Sequence, residues 1–160
     1  MPGFFPQVTS AKRKLRDRLL AALPGQLASA DLAAADGVTT PPPYEIHTTD
    51  KADLGGLPSL ELIVTDSTPT SDSYAQVYRH RIVCGVTCGG DVEETITVQV
   101  ERYVWCLRAI VDDLALTPIE GTTAAQAGGE QYTPLVQRPG TVEHPLVKGA
   151  FIEIFITTLS

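Results

Sequence analysis

The stretch DVEETITVQVERYVWCLRAIVDDLALTP, from Asp91 to Pro118, narrows the possible folds of this chain more than any other. From Ile96 to Leu114 the apolar residues recur every three or four positions, which predicts a helix over about Val92 to Leu114, stopped by Pro118. Thr97 and Val98 are poor helix formers, but periodicity over so long a window outweighs that weak propensity. Val100, Tyr103, Val104, Leu107 and Val111 form the stripe that must be buried. Trp105, the single tryptophan, falls about 120° away from the stripe, beside Glu101, Arg102 and Asp112. A long helix with one apolar stripe needs a second layer to pack on, and the flanking sequence supplies strands.

YEIHT (Tyr44 to Thr48) follows three prolines and suits an edge strand. SLELIVT (Ser59 to Thr65) alternates, with Leu60, Leu62 and Val64 on one face. QVYRHRIVCGVTC (Gln76 to Cys88) puts Tyr78, His80, Ile82, Cys84 and Val86 on one face and Val77, Arg79, Arg81 and Val83 on the other. That second face begins charged, so the outer end of the strand extends past the core. Between these strands, DSTPTSDS (Asp66 to Ser73) reads as a polar loop, and GAFIEIFITTL (Gly149 to Leu159) reads as a central strand buried on both faces. EGTTAAQAGGEQ (Glu120 to Gln131) reads as a flexible loop or hairpin tip, and YTPLVQ as a weak strand. Upstream, AKRKLRDRLLAALPG forms a first helix capped by Ser10 and stopped at Pro24 and Gly25, with Leu15, Leu19 and Leu23 as its stripe. A Pro-rich segment follows. The expected fold is α+β in a single domain over residues 1–160. An antiparallel or mixed β-sheet of about four to five strands is packed by the N-terminal helix and the long central helix.

The 160 residues suffice for one core. No apolar run approaches the ~18 residues of a membrane span, and the N-terminal charges follow the apolar residues, the reverse of a secretory signal. The expectation is a product made in the cytoplasm with no membrane partner. Net charge is −7 but uneven: five cations and one carboxylate give residues 12–18 a net +4, leaving −11 elsewhere. An acidic body disfavours non-specific nucleic-acid binding, while the basic segment is either a solvated helix face or a contact for an acidic partner. Cys84, Cys88 and Cys106 are read as buried thiols. Four strand residues span roughly 13 Å, too far for His80, Cys84 and Cys88 to share a metal, so no metal or other cofactor is expected.

No catalytic constellation is legible. There is no nucleophile elbow, phosphate loop, metalloprotease helix or dinucleotide fingerprint, and His47, His80 and His144 are isolated in sequence. Glu93-Glu94 and Asp112-Asp113 lie roughly 25 Å apart along the helix, beyond the reach of a carboxylate pair. Binding and assembly remain. The candidate surface comprises Trp105 and Arg102 on the helix, Arg79 and Arg81 on the overlong strand, and Asp66, Thr68, Ser71 and Asp72 in the polar loop.

In element order, length, the paired strands SLELIVT and QVYRHRIVCGV, and the helix TITVQVERYVWCLRAIVDDL, the chain resembles the tail terminator proteins of long-tailed bacteriophages. The resemblance runs from AKRKLRDRLLAAL to AFIEIFITTL and implies a structural, non-enzymatic virion protein. Such a protein forms a homohexameric ring on the end of the tail tube, stops tube polymerisation and offers the surface to which the head attaches. Its implied partners are itself, the major tail tube protein and a head-closure or neck protein, with DNA passing through without specific binding. A head-closure connector is the nearest alternative reading. A tail-tube subunit would need more strand and less helix, and a small cytosolic binding domain would need a deep pocket with convergent polar groups.

Overall fold

A computed structural model describes residues 4–48, 56–69, 77–114, 122–137 and 145–159. Their order is α1 (Phe4–Ala34), β1 (Glu45–His47), β2 (Ser59–Pro69), β3 (Val77–Gly90), α2 (Glu93–Asp113), β4 (Thr122–Tyr132), β5 (Val136–Gln137) and β6 (Leu146–Leu159). The strands form one mixed six-stranded sheet in the order β1-β2-β3-β6-β4, with β5 also on β6. Among the described strands only β1 and β2 run parallel; the other pairings are antiparallel. The fold is α+β. The strand that brings the count to six, against the expected four to five, is β4, in a segment expected to be a loop or hairpin tip.

One face of the sheet makes the core. Leu60, Leu62, Ile82, Cys84, Val86, Ile152, Ile154 and Ile156 project from it onto the stripes of α1 and α2. Strand alternation sends their neighbours to the opposite face, where Phe151 is exposed and Ile63, Val83 and Phe155 are half-buried. β6 is therefore central in the sheet, as its sequence suggests, but it is buried on one face and not on both. The thiols of Cys84, Cys88 and Cys106 all lie in the core. Burial pushes Cys84 and Cys88 up to about 12 and Cys106 up to about 11, so all three stay protonated and unreactive at neutral pH.

The first helix departs from expectation at both ends. It starts at Phe4, ahead of Ser10, and it continues through Pro24 to Ala34. Proline inside a helix forfeits one hydrogen bond and crowds the carbonyl four residues back, at a cost of about 3 kcal/mol. Leu27 offsets this by prolonging the stripe of Leu15, Leu19 and Leu23; all four are at most 1% exposed. Burying one leucine contributes about 2 kcal/mol. Asp31, one turn further on, adds a polar anchor described below. The helix then stops at Ala35 and Gly37, both at positive φ.

Two segments expected to be loops are strands. Asp66 to Pro69 continue β2 beyond a bulge at Val64/Asp66 and pair with Tyr78 to Arg81. Their polar side chains suit a ribbon that has run past the core. Thr122 to Tyr132 form β4 on β6, with irregularities at Thr122/Ala124 and Ala127/Glu130. A run of Thr, Ala, Gln and Gly gives no alternation to read; the strand exists because β6 offers an edge to pair with.

His80 is buried where the β2–β3 ribbon leaves the core. Its Nδ1 lies 2.7 Å from Ser67 Oγ and its Nε2 2.7 Å from Thr158 Oγ1. Burial lowers its pKa below the ordinary 6.5, so the native state holds the ring neutral while the unfolded chain takes up a proton sooner. The stability this neutral ring contributes is complete above pH 6.5 and is lost as pH falls through the depressed native value. Urea unfolding at about pH 7.5 and about pH 5 is expected to show this loss, and His80→Gln is expected to flatten it. An equal pH dependence in both proteins would remove His80 from the account.

Candidate functional site

Helix α2 buries Ile96, Val100, Tyr103, Val104, Leu107, Ile110 and Val111, which is the stripe its period demands. Trp105 stands off that stripe and is 60% exposed. It sits in a groove of about 690 Å³ whose floor is α2, through Val98, Glu101, Val104 and Trp105. Ala30, Ala33 and Ala34 at the end of α1 form one wall, and Glu130 and Tyr132 of β4 form the other. Small side chains on α1 leave the space open, and Tyr132, itself exposed, places a second aromatic ring at the rim.

Two arginines fix the walls. Arg102 is 8% exposed, and its guanidinium donates to Asp31 Oδ1 at 2.8 Å, to the Val38 carbonyl at 2.8 Å and to the Asp36 carboxylate. The guanidinium beside Asp36 holds that carboxyl below the usual carboxylate range, and Asp36 in turn raises Arg102. Asp31 also accepts from the backbone N–H and the hydroxyl of Thr40, both at 2.7 Å. Tyr103 donates its hydroxyl to the Pro41 carbonyl at 2.6 Å, and Gln99 Nε2 donates to the Thr39 carbonyl at 2.8 Å. The Pro-rich segment after α1 is thereby stapled along α2 at Gln99, Arg102 and Tyr103. On the opposite wall, Arg108 donates to Glu130 Oε2 at 3.0 Å and to the Gly128 carbonyl at 2.7 Å, tying β4 to α2 at its irregular point. Four charged groups of the groove, Asp36, Arg102, Arg108 and Glu130, are paired within its walls, and the rest of its surface is mostly apolar.

The remaining candidates lie elsewhere. Arg79 and Arg81 project from β3 on the sheet face away from the helices. The Arg79 guanidinium lies 4.0 Å from the centroid of the Phe155 ring. Arg81 Nε donates to Glu153 at 2.7 Å and Arg81 Nη1 to the Thr65 hydroxyl at 2.9 Å. Asp66 and Thr68 are exposed on β2, opposite Arg81 and Arg79 in register. Ser71 and Asp72 lie outside the described residues. The eight candidates thus separate: Trp105 and Arg102 belong to the groove, and Arg79, Arg81, Asp66 and Thr68 to the outer β2–β3 ribbon.

The groove uses residues that pattern reading passes over. Ala30, Ala33 and Ala34 lie in a segment beyond a helix-stopping Pro-Gly pair, and Glu130 and Tyr132 in one that reads as a loop. Trp105 and its neighbour Arg102 are the signals in the sequence that point to this place.

No family model and no curated protein matches the chain. Among solved structures, it is similar to a chain from the virion of a native gene transfer agent particle. The identity is 17% over 88% of this chain and 94% of that one, with a TM-score of 0.36.

Proposed function

We propose that the protein is a structural component of a phage-like virion, a tail terminator that forms a ring on the head-proximal end of the tail tube. The ring ends tube polymerisation and presents the surface to which the head is joined. The reading is supported by the order of elements, from the amphipathic first helix through the paired β2 and β3 to the long α2 and the closing β6. The observation that carries it is Trp105. A tryptophan 60% exposed in a mostly apolar groove is a large area of unsatisfied surface on a lone subunit, and tryptophan is enriched where a few residues supply most of an interface's energy. The excess of acid outside α1 suits a ring through which DNA must pass without being held, because cationic walls would bind phosphate.

Repetition of one subunit around a ring, a homohexamer in this reading, uses a heterologous contact in which two different patches meet and rotation closes the circle. Electron microscopy of assembled tails carrying a gold label on this protein should show the label at one end only, in about the six copies a six-fold ring demands. Label spread along the tube would assign the protein to the tube instead, and label absent from particles would remove it from the virion altogether.

A further inference from the structure

The Trp105 groove has one charge left over. Its lining holds the carboxylates of Asp36, Glu101 and Glu130 and the guanidiniums of Arg102 and Arg108. Arg102 is engaged by Asp31 and Asp36, and Arg108 by Glu130. Glu101 is exposed and, among the described residues, has no hydrogen-bond or ion-pair partner. Tyr132 registers the imbalance. Burial raises its phenol first, and Glu130 and Glu101 raise it further against the opposing pull of Arg108. On α2 the unmatched carboxylate stands one turn before Trp105, and Val98 stands two turns before it on the same face. An exposed indole, an unpaired carboxylate and apolar walls thus lie side by side.

Few groups suit all three. An apolar side chain would cover Trp105 and Val98 but would strip water from the Glu101 carboxylate with nothing to replace it. An ammonium pairs with the carboxylate but is a compact, strongly hydrated charge. A guanidinium is planar and weakly hydrated. It stacks on an indole while its edge donates to a carboxylate, and the methylenes behind it cover apolar surface. This chain has no such group to lend. Among the described residues the two exposed cations are Arg13 and Arg79. Arg13 has exposed Asp17 one turn on along α1, which would bring a like charge up to Glu101. Arg79 already lies over Phe155, with Asp66 diagonal to it across the ribbon. We propose that the groove seats an arginine of another protein of the particle, its guanidinium stacked on Trp105 and paired with Glu101. The inference rests on the assembly reading above, which makes the groove an interface, and names what that interface receives. The contact then recurs once per subunit, and the ring closes on the protein that supplies the arginines.

Trp105 is the single tryptophan, so the protein's indole fluorescence reports on the groove alone. The full-length protein is titrated at constant ionic strength with N-acetyl-arginine amide and with N-acetyl-citrulline amide, which has the same length and planar head group but no charge. The arginine compound should produce a saturable change in emission. The citrulline compound should bind at least about tenfold more weakly, because a hydrogen bond between two charged groups is much the stronger. Glu101→Gln alters an exposed side chain, so the variant should melt like the parent and lose the preference for arginine. Three results would each overturn the proposal: citrulline binding as tightly as arginine, a Glu101→Gln variant that keeps the preference, or no saturable change with either compound. The terminator reading is judged separately, by whether labelled protein caps tail ends, and it stands if the groove seats an uncharged side chain instead.

Discussion

Trp105→Ala is expected to leave the folded subunit almost as stable as the parent while abolishing ring formation and tail completion. The residue is 60% exposed, so truncation removes little from the subunit's own packing. A loss of about 1 kcal/mol lowers the melting temperature by roughly 2–4 °C for a chain of this size. At an interface, a buried tryptophan typically contributes about 2 kcal/mol or more, roughly a thirtyfold loss of affinity per contact. In a closed ring that loss recurs at every contact, so even the lower figure suffices to stop assembly at working concentrations. Thermal melting and electron microscopy of tails made with the variant separate the two effects. A drop of about 10 °C or more in the subunit's melting temperature would show that the indole supports its own fold and not a neighbour.

Arg102→Ala is expected to have the opposite profile, a heavy loss of stability followed by loss of assembly. The guanidinium is buried between Asp31 and Asp36 and also holds the Val38 carbonyl. Removing one partner of a buried ion pair leaves an uncompensated charge and typically costs about 3–5 kcal/mol. Asp31 carries most of this, being 16% exposed and turned inward. The end of α1 then loses its tether to α2, and the groove loses a wall. The pair also confers a pH dependence. Arg102 holds the Asp36 carboxyl below its ordinary 3.8, so the stability it gives is complete above that pH and is lost as pH falls through the native value. Urea titrations at about pH 7 and about pH 3 on parent and variant should show the acid-side loss shrinking with Arg102 gone. A variant as stable as the parent would mean that the strap between α1 and α2 holds without this charge.

Local periodicity made the helix and strand core readable. The stripe of α2, the alternation of β2 and β3 and the short β1 at the sheet edge each depend on residues within one element, and each is where its pattern places it. The failures share a cause. Pro24 and Gly25 are strong local stop signals, overruled by Leu27 and by Asp31 reaching Arg102, 71 positions away. β4 has almost no pattern of its own and is made by the edge of β6. Phe151 and Phe155 look like core residues in a sequence, but nothing in a strand's alternation says whether a sheet is covered on one side or two. Of the groove, only Trp105 and Arg102 were legible, because their position off the buried stripe is internal to the helix. The walls come from segments distant in sequence, brought together by ion pairs that no local pattern encodes.

The β3–β6 pairing also governs how the subunit bears mechanical load. The two strands match over fourteen consecutive positions, from Val77↔Leu159 to Gly90↔Leu146, with no break in register. That is a ladder roughly 43 Å long at about 3.3 Å per residue. Tension applied along the strands loads all its hydrogen bonds in shear together, whereas tension across them peels bonds one at a time. The sheet is therefore stiffest along β3 and β6, and it yields first at the bulges of β2 and β4, where register is already broken. A subunit under load would carry force best with this ladder in line with the load and its outer strands free to bend.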